Sequence, residues 1–276
     1  LQANERNRVV ARANRNEYEG LNGTNANTTY AESYNGIEGL ETTSLVLQWN
    51  ATASATLIND FNAQYVEEST PREDKGYGVP DIQIAGGARL GEVSFLPILA
   101  DQYRLTLSDS VTWLAGNHVA KGGVEFNDTG MDQVFKGNWR GVFIFASAGS
   151  RTALQNFDQG RWNEYREFIG LNGLTADEAG RYDKKQREYA VFLQDQWYLS
   201  SELTATVGLR YEYQDNPDDP ILDAAKVVDP ANGLVQPDAK IPDARNQLSP
   251  RVALAWSPTP RTVVRASAGR YYARFP

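Results

Sequence analysis

The sequence predicts an all-β fold, specifically an antiparallel transmembrane β-barrel, and three observations lead to this prediction. Apolar and polar residues alternate with a period of two along about nine segments. Very short and very long connections join these segments in alternation. Four of the six tryptophans fall just before the short connections. Strands that cross a bilayer, with short turns on one side and long loops on the other, give this pattern. We expect residues 1–276 to be part of one barrel domain.

The alternation is clearest in two segments, residues 103–113 and 203–213. The first places apolar side chains on one face with Asp109 as the only exception, and the second has no exception. Asp195 also falls on the apolar face of its segment, and alternation alone explains neither aspartate. Seven further strands are predicted from rougher alternation, at residues 5–18, 42–53, 56–67, 118–129, 187–198, 248–257 and 262–272.

The connections sort into two kinds. The short ones are predicted at residues 53–55, 115–117, 200–201 and 258–260. The long ones are predicted at residues 19–41, 68–102, 130–186 and 214–247. Soluble domains rarely contain so many long connections, whereas outer-membrane barrels have this asymmetry as a rule.

The aromatic residues predict two membrane-interface levels. Those expected to form a girdle at the short-turn level are Trp49, Trp113, Trp197 and Trp256. Those expected near the long loops are Tyr18, Tyr65, Tyr103, Phe126, Tyr189, Tyr211 and Tyr271. Eight to ten strand residues separate the two levels, which corresponds to ~20–25 Å and matches the apolar band of an outer-membrane barrel.

Composition excludes several classes of function. The 276 residues have a net charge of -8 and a pI near 4.9, which disfavours nucleic acid as a partner. With no cysteine and one histidine, thiolate metal sites and most histidine catalysis are excluded, and no cofactor is expected. Mean hydropathy is -0.52, as expected for strands that are apolar on one face only. A soluble antiparallel sandwich is the alternative fold, but its core tryptophans would not all precede short turns.

The long connection at residues 130–186 holds the candidate ligand-binding residues. Aromatic and cationic side chains of the kind that hold sugars, peptides or siderophores occur there, namely Trp139, Arg140, Trp162 and Tyr165. Residues 152–169 fit a short amphipathic helix. The alternative is that these side chains pack within the loop itself.

Other polar clusters have structural explanations beside functional ones. The aspartate-rich segment 215–220, with Asp223 and Asp229, offers oxygen ligands for calcium but lacks the spacing of an EF-hand loop, so a solvated loop is the alternative. His118 follows a short turn with no nucleophile spaced near it, which favours a turn residue over a catalytic one.

Two groups of charged residues complete the candidates. The first group is interpreted as a charged rim that screens ligands, with a solvated surface as the alternative. Its members are Glu67, Glu68, Arg72, Glu73, Asp74 and Lys75. The second group is expected to face the lumen. Its side chains either form ion pairs, between strands or with a plug, or line a substrate path. Its members are Arg210, Glu212, Arg251 and Arg265.

Three stretches resemble the barrel of TonB-dependent receptors, especially the Oar-like group. They are HVAKGGVEFNDTGMDQVFKGNWRGVFIF, YAVFLQDQWYLSSELTATVGLRYEY and LSPRVALAWSPTPRTVVRASAGRYYARF. The resemblance implies a 22-stranded barrel in the outer membrane of a Gram-negative bacterium, with an internal plug. It also implies uptake of a scarce siderophore, saccharide or peptide with energy supplied through TonB, and no enzymatic activity.

No plug-like region or TonB box is visible, and the opening LQANERNRVV has no signal-peptide pattern. About nine strands are too few for the barrel of that family, because an open edge in lipid leaves backbone groups unsatisfied. We therefore expect an internal segment of a longer receptor, with outer-membrane lipid and TonB as partners. A passive porin and a barrel-anchored adhesion or structural protein are the alternatives.

Overall fold

A computed structural model describes residues 2–24, 27–170, 173–217 and 243–273. In chain order, the strands are β1 (Gln2–Asn4), β2 (Asn7–Leu21), β3 (Ile37–Ser54), β4 (Leu57–Ser69), β5 (Arg72–Glu73), β6 (Asp81–Ile84), β7 (Ala88–Leu90), β8 (Ile98–Ala115), β9 (His118–Phe135), β10 (Val142–Phe145), β11 (Glu164–Arg166), β12 (Arg181–Tyr198), β13 (Leu203–Asp215), β14 (Ala244–Thr259) and β15 (Thr262–Gly269). The helices are α1 (Ala153–Asp158), α2 (Ala176–Gly180) and a 3₁₀ turn at Glu32–Tyr34. None of the helices in these ranges is long and apolar enough to cross a membrane.

The nine predicted strands are all present, and together they form one antiparallel wall. Neighbours in the wall follow the order β1-β2-β3-β4-β8-β9-β12-β13-β14-β15, and the short β5 pairs with β3 and β8. Successive long strands are therefore joined as hairpins. The tight turns lie at residues 55–56, 116–117, 199–202 and 260–261, within one or two residues of their predicted positions. The fold class is confirmed.

The strands are longer than predicted at their loop ends. β9 continues to Phe135 and β12 begins at Arg181, so the connection predicted at residues 130–186 is shortened to 136–180. Both strands have 18 residues, whereas about 9–11 suffice to cross a bilayer. The wall therefore extends past the apolar band on the side of the long connections.

The two faces of the wall differ in chemistry and in burial. On β13, Leu209 points to the apolar face and is 47 % exposed. Its neighbour Arg210 points to the opposite, polar face, and its side chain is only 19 % exposed. Gln214 and Ser249, both on the polar face, are buried. An exposed apolar face and a crowded polar face indicate that the apolar side is convex and faces lipid, while the polar side lines the lumen.

The two aspartates that interrupt the apolar face each have a polar partner on a neighbouring strand. Asn59 of β4 donates a hydrogen bond from Nδ2 to Asp109 Oδ1 at 2.6 Å. His118, the first residue of β9, places Nδ1 2.7 Å from Asp195 Oδ2. Neither Asp109 nor Asp195 is therefore isolated among apolar side chains, which was the feature that alternation left unexplained.

The second aromatic level is partly as predicted. On the convex face, Tyr65 stacks with Tyr103 at 6.4 Å between ring centroids, and Phe126 lies 5.2 Å from Tyr189. The prediction is wrong for Tyr18, because its partner in register is Leu40 and this pair lies on the polar face. It is also wrong for Tyr271, which follows the end of β15, where Arg251 of the polar face lies 4.6 Å from its ring centroid. Strand ends do not fix the face on which an aromatic points.

The long connections form an ordered cover at one end of the wall, here named the loop layer and defined as residues 27–36, 70–71, 74–97, 136–170 and 173–180. Its centre is a four-stranded sheet in the order β11-β10-β6-β7, in which β6 and β10 run parallel. One apolar cluster of the layer contains Tyr34, Val93 and Leu96, and a second contains Ile84, Phe145 and Ala153. The loop layer therefore has small hydrophobic cores of its own.

Candidate functional site

An ion-pair cluster fixes the two main segments of the loop layer to each other. Arg140 Nη1 contacts the carboxylate of Glu92 and lies 2.7 Å from Asp74 Oδ2. Glu92 is 1 % exposed, and it also accepts hydrogen bonds from the backbone N–H groups of Tyr77 at 2.6 Å and Gly78 at 2.9 Å. These contacts satisfy a buried carboxylate, which is costly to bury without partners. We call Arg140, Glu92 and Asp74 the loop clamp.

Trp139 is part of the same support structure. Its indole Nε1 donates a hydrogen bond to the carbonyl oxygen of Leu96 at 2.8 Å. Two cations lie over its ring, Lys136 Nζ at 4.1 Å and Arg140 Cζ at 4.5 Å from the centroid. Lys136 in turn forms an ion pair with Asp177 at the start of α2. Trp139 and Arg140 therefore pack within the loop layer, as the alternative to ligand contact supposed.

The other two predicted residues, Trp162 and Tyr165, lie together on the surface of the small sheet. Both rings contact Phe143 of β10, Trp162 edge-on at 5.5 Å and Tyr165 at 4.8 Å between centroids. Trp162 is 56 % exposed and Tyr165 is 45 % exposed. We call Phe143, Trp162 and Tyr165 the aromatic cluster. Phe143 was missed in the sequence, although the short apolar run of β10 is a signal for a strand.

The local sequence explains how Trp162 and Tyr165 reach this position. Thr152 caps α1 and accepts a hydrogen bond from the Gln155 N–H, while the Gln155 side chain accepts from the Thr152 N–H. The helix ends before Gly160, whose φ of +63° suits glycine. The chain then turns back as β11 beside β10. The prediction of one helix over residues 152–169 is wrong beyond Asp158, where the six-residue helix ends.

Charged groups surround the aromatic cluster. The Tyr165 hydroxyl donates a hydrogen bond to Glu167 Oε2 at 3.0 Å, and this bond raises the pKa of Tyr165. Arg166 and Glu164 form an exposed ion pair on the same strand, with Nε 2.5 Å from Oε1, and the Arg166 hydrogen bond lowers the pKa of Glu164. Exposed aromatic rings beside hydrogen-bonding groups are the arrangement that holds amphipathic ligands at protein surfaces.

A second candidate region lies on the polar face, below the loop layer. A groove of about 500 Å³ opens there, lined mainly by polar side chains that include Gln64, Glu68, Arg104, Thr129 and Gln186. The groove lies at the loop end of strands β4, β8, β9 and β12. It is therefore the first part of the lumen wall reached from the loop side.

Arg210 and Glu212 form the ion pairs predicted for the lumen. Arg210 Nη2 lies 3.1 Å from Glu125 Oε2, and its Nε lies 3.0 Å from Glu212 Oε1. Glu125 and Glu212 are both in register with Ala190 of β12, so the guanidinium reaches across a small side chain to link β9 with β13. Arg251 instead lies over the Tyr271 ring, and no partner of Arg265 is present among the described residues.

The predicted girdle residues share one level of the convex face. Exposure ranges from 42 % at Trp49 to 55 % at Trp113, with Trp197 and Trp256 between these values. The Trp49 indole donates a hydrogen bond to Asn7 Oδ1 at 2.9 Å, and Trp197 stacks on His118 at 5.2 Å. Indoles with one apolar and one polar side suit a membrane interface. A girdle function for these four residues stays a prediction.

Two candidates from the sequence remain, the charged rim and the calcium segment. The rim interpretation is wrong for Asp74, whose side chain is 12 % exposed in the loop clamp. Residues 218–220 of the candidate calcium segment, together with Asp223 and Asp229, lie outside the described residues. Within the described ranges, no group of three or more acidic or histidine side chains is placed to hold a metal ion.

A wall of antiparallel strands with a convex apolar face, a polar lumen face and short turns at one end defines a transmembrane β-barrel protein. The comparison with protein families agrees. A family model described as an outer membrane beta barrel domain matches residues 1–276, so the chain belongs to this family and its location is the bacterial outer membrane. A search of curated proteins gave no match.

Proposed function

We propose that this barrel belongs to a TonB-dependent receptor that captures a scarce nutrient at its loop layer and admits it through the lumen. The observation that carries the proposal is the loop layer, which has two apolar clusters, a buried ion-pair clamp and an exposed aromatic cluster. An open diffusion pore does not require a folded loop layer of this kind at its entrance. The three sequence stretches that resemble this receptor class give the proposal independent support.

In this proposal the loop clamp has a positioning role and the aromatic cluster contacts the ligand. Trp162 and Tyr165 are the predicted ligand residues with large exposed surfaces, and Phe143 holds both rings. Trp139 and Arg140 support them by fixing the segment that leads into β10. The ligand is a siderophore, a saccharide or a peptide, and the protein acts as a transporter without enzymatic activity. TonB and a plug belong to the same proposal, as does a barrel of 22 strands.

The decisive experiment measures uptake of labelled siderophores, saccharides and peptides by cells producing the full-length protein, with and without TonB. Uptake of one of these classes that is lost without TonB supports the proposal. Replacing Trp162 and Tyr165 by alanine should reduce that uptake, whereas replacing Tyr77, an exposed aromatic of the same layer outside the cluster, should not. Steady ion conductance of the full-length protein in planar bilayers would identify a passive porin instead.

A barrel-anchored adhesion protein is the other alternative, and the structure sharpens its test. A deletion of residues 130–186 would remove the loop ends of β9 and β12. Replacing only residues 142–170 by a short glycine-rich linker keeps both strands and the contact between Lys136 and Asp177. Loss of surface attachment without any loss of uptake would support adhesion and contradict the receptor proposal.

A further inference from the structure

The lumen face of the wall carries more cations than carboxylates, although the whole chain has a net charge of -8. Strand register assigns residues to this face. Among the described residues, the cations are Arg8, Arg12, Arg72, Arg104, Lys121, Lys184, Arg210, Arg251 and Arg265. The carboxylates are Glu38, Asp60, Glu68, Glu125, Glu188 and Glu212. The excess of positive charge is therefore local to the lumen and opposite in sign to that of the chain.

Each of these carboxylates already has an interaction partner in the protein. The donors are Arg72 for Glu38 at 2.8 Å, Asn50 for Asp60 at 2.6 Å, Gln102 for Glu68 at 2.6 Å, and Arg210 for Glu125 at 3.1 Å and Glu212 at 3.0 Å. Glu188 also has a partner. Hydrogen bonds and ion pairs within the wall thus reduce the negative potential that these groups would present to the lumen.

Most of the lumen cations, in contrast, form no hydrogen bond or ion pair with described residues. Within the described ranges, no ion pair or hydrogen bond is formed by the side chains of Arg8, Arg12, Arg104, Lys121 or Arg265. The Arg251 guanidinium has only the Tyr271 ring as a partner there. Charged groups without counter-charges on a concave surface attract ions of opposite sign.

These cations are distributed from one end of the lumen to the other. Arg104 lines the groove at the loop end. Lys121 and Arg251 lie nearer the short turns in one row of the sheet, separated by Gln194 and Gly208. Gly208 adds no side chain to this row, and the two cations are separated by three strand spacings, or ~14 Å. An anion that leaves the groove therefore meets further cations along the wall.

We propose that the lumen wall forms a path for an anionic solute, with Arg104 as the contact at the loop end and Lys121 with Arg251 as the contacts near the turns. The proposal rests on the proposed transport function and narrows its substrate to molecules that carry carboxylate, phosphate or sulfonate groups. An acidic polypeptide segment seated in the lumen is the competing occupant, and the test separates the two.

The test measures binding of a trisulfonated pyrene dye to the purified full-length protein in detergent by fluorescence anisotropy. The double variant R104Q/K121Q should bind the dye about tenfold more weakly, because a charge-assisted contact is lost at each of the two positions along the wall where the dye can bind. The control R15Q/R187Q also removes two cations, but from the convex faces of β2 and β12 and outside the groove, and it should leave binding unchanged. Added salt should weaken binding to the wild type, and a cationic dye of similar size should not bind.

Two results would overturn the proposal. If the wild type binds the dye but R104Q/K121Q binds it equally well, the site is not on this wall. If the wild type does not bind the dye and R104Q/K121Q melts at a lower temperature, the cations hold an internal acidic segment. Dye binding requires no energy from TonB, so the lumen proposal can fail while TonB-dependent uptake stands, and the reverse also holds.

Discussion

The transmembrane wall and the loop layer are both built from β-strands, but they bury opposite kinds of side chain. In the wall, the apolar residues point outward to lipid and the ion pair of Arg210 with Glu125 and Glu212 lies on the crowded inner face. The loop layer places apolar clusters inside, as a soluble domain does, and encloses Glu92 with its partners as well. The solvent outside each region decides which residues are hidden.

The largest effect is expected in the loop layer from Glu92→Ala. Removing this carboxylate leaves two backbone N–H groups without their acceptor in a buried site and leaves Arg140 with Asp74 alone. The free energy of local opening should fall by about 3–5 kcal/mol, the usual cost of breaking a buried ion pair. Hydrogen exchange of the Tyr77 and Gly78 amides measures it. The exposed Glu164→Ala should change exchange little, and an equal effect of both variants would refute the clamp.

The wall should respond instead to charge on its outer face. Leu193 is 65 % exposed on the convex face, midway between Tyr189 and Trp197, and Leu193→Arg should cost about 2–4 kcal/mol in a bilayer. Gln194→Arg places the same charge one residue away on the lumen face and should cost far less. Unfolding by urea in lipid vesicles measures both variants. Equal costs would show that the convex face does not contact lipid.

The sequence predicts more of the wall than of the loop layer, for a physical reason. The wall was predictable because a hairpin partner is always the next strand, and alternation assigns Leu193 and Gln194 to opposite faces. The parallel pairing of β6 with β10 joins segments that are about 60 residues apart, and no local pattern marks it. Glu92 and Asp74 resemble solvated loop charges until Arg140 is placed beside them.

The candidate site shows the same limit. The sequence groups Trp139, Arg140, Trp162 and Tyr165 as aromatic and cationic side chains of one loop. The fold divides them, since a tight contact of the Trp139 indole with the Leu96 carbonyl turns the first pair inward. Residue type alone cannot distinguish a supporting aromatic from an exposed one.

A smaller effect is expected at Tyr34 of the loop layer, and it depends on pH. The Tyr34 hydroxyl donates a hydrogen bond to Asp81 Oδ2 at 3.0 Å; burial, together with the charge of Asp81, raises the pKa of Tyr34 above its ordinary value of 10.0. A raised pKa in the folded state means that this stability is complete below pH 10.0 and is lost as pH rises toward the folded pKa.

Tyr34→Phe should therefore lower the stability of the loop layer by about 1–2 kcal/mol at neutral pH. It should also reduce the loss of stability in alkaline solution. Hydrogen exchange at neutral pH and limited proteolysis at rising pH provide the two measurements. Tyr30→Phe is the matched control, because Tyr30 packs against Tyr34 at 5.2 Å between ring centroids in the same cluster. An identical alkaline response of wild type and Tyr34→Phe would contradict this assignment.

The smallest effect is expected where the wall contains a polar pair on its convex face. His118 and Asp195 are each about two-fifths exposed, so their contact should contribute about 1 kcal/mol or less. His118→Leu leaves Asp195 unpaired on the convex face and should lower stability by that amount. The double variant H118L/D195L removes both polar groups and should recover the loss, because the convex face then becomes uniformly apolar at this level.

A double-mutant cycle of urea unfolding in vesicles measures the coupling between His118 and Asp195. If D195L alone destabilises the wall more than the double variant does, the aspartate is needed by His118. If the double variant is the least stable of the four proteins, the pair stabilises this level of the wall beyond satisfying its own charge, and polar contacts then matter to the wall as they do to the loop layer.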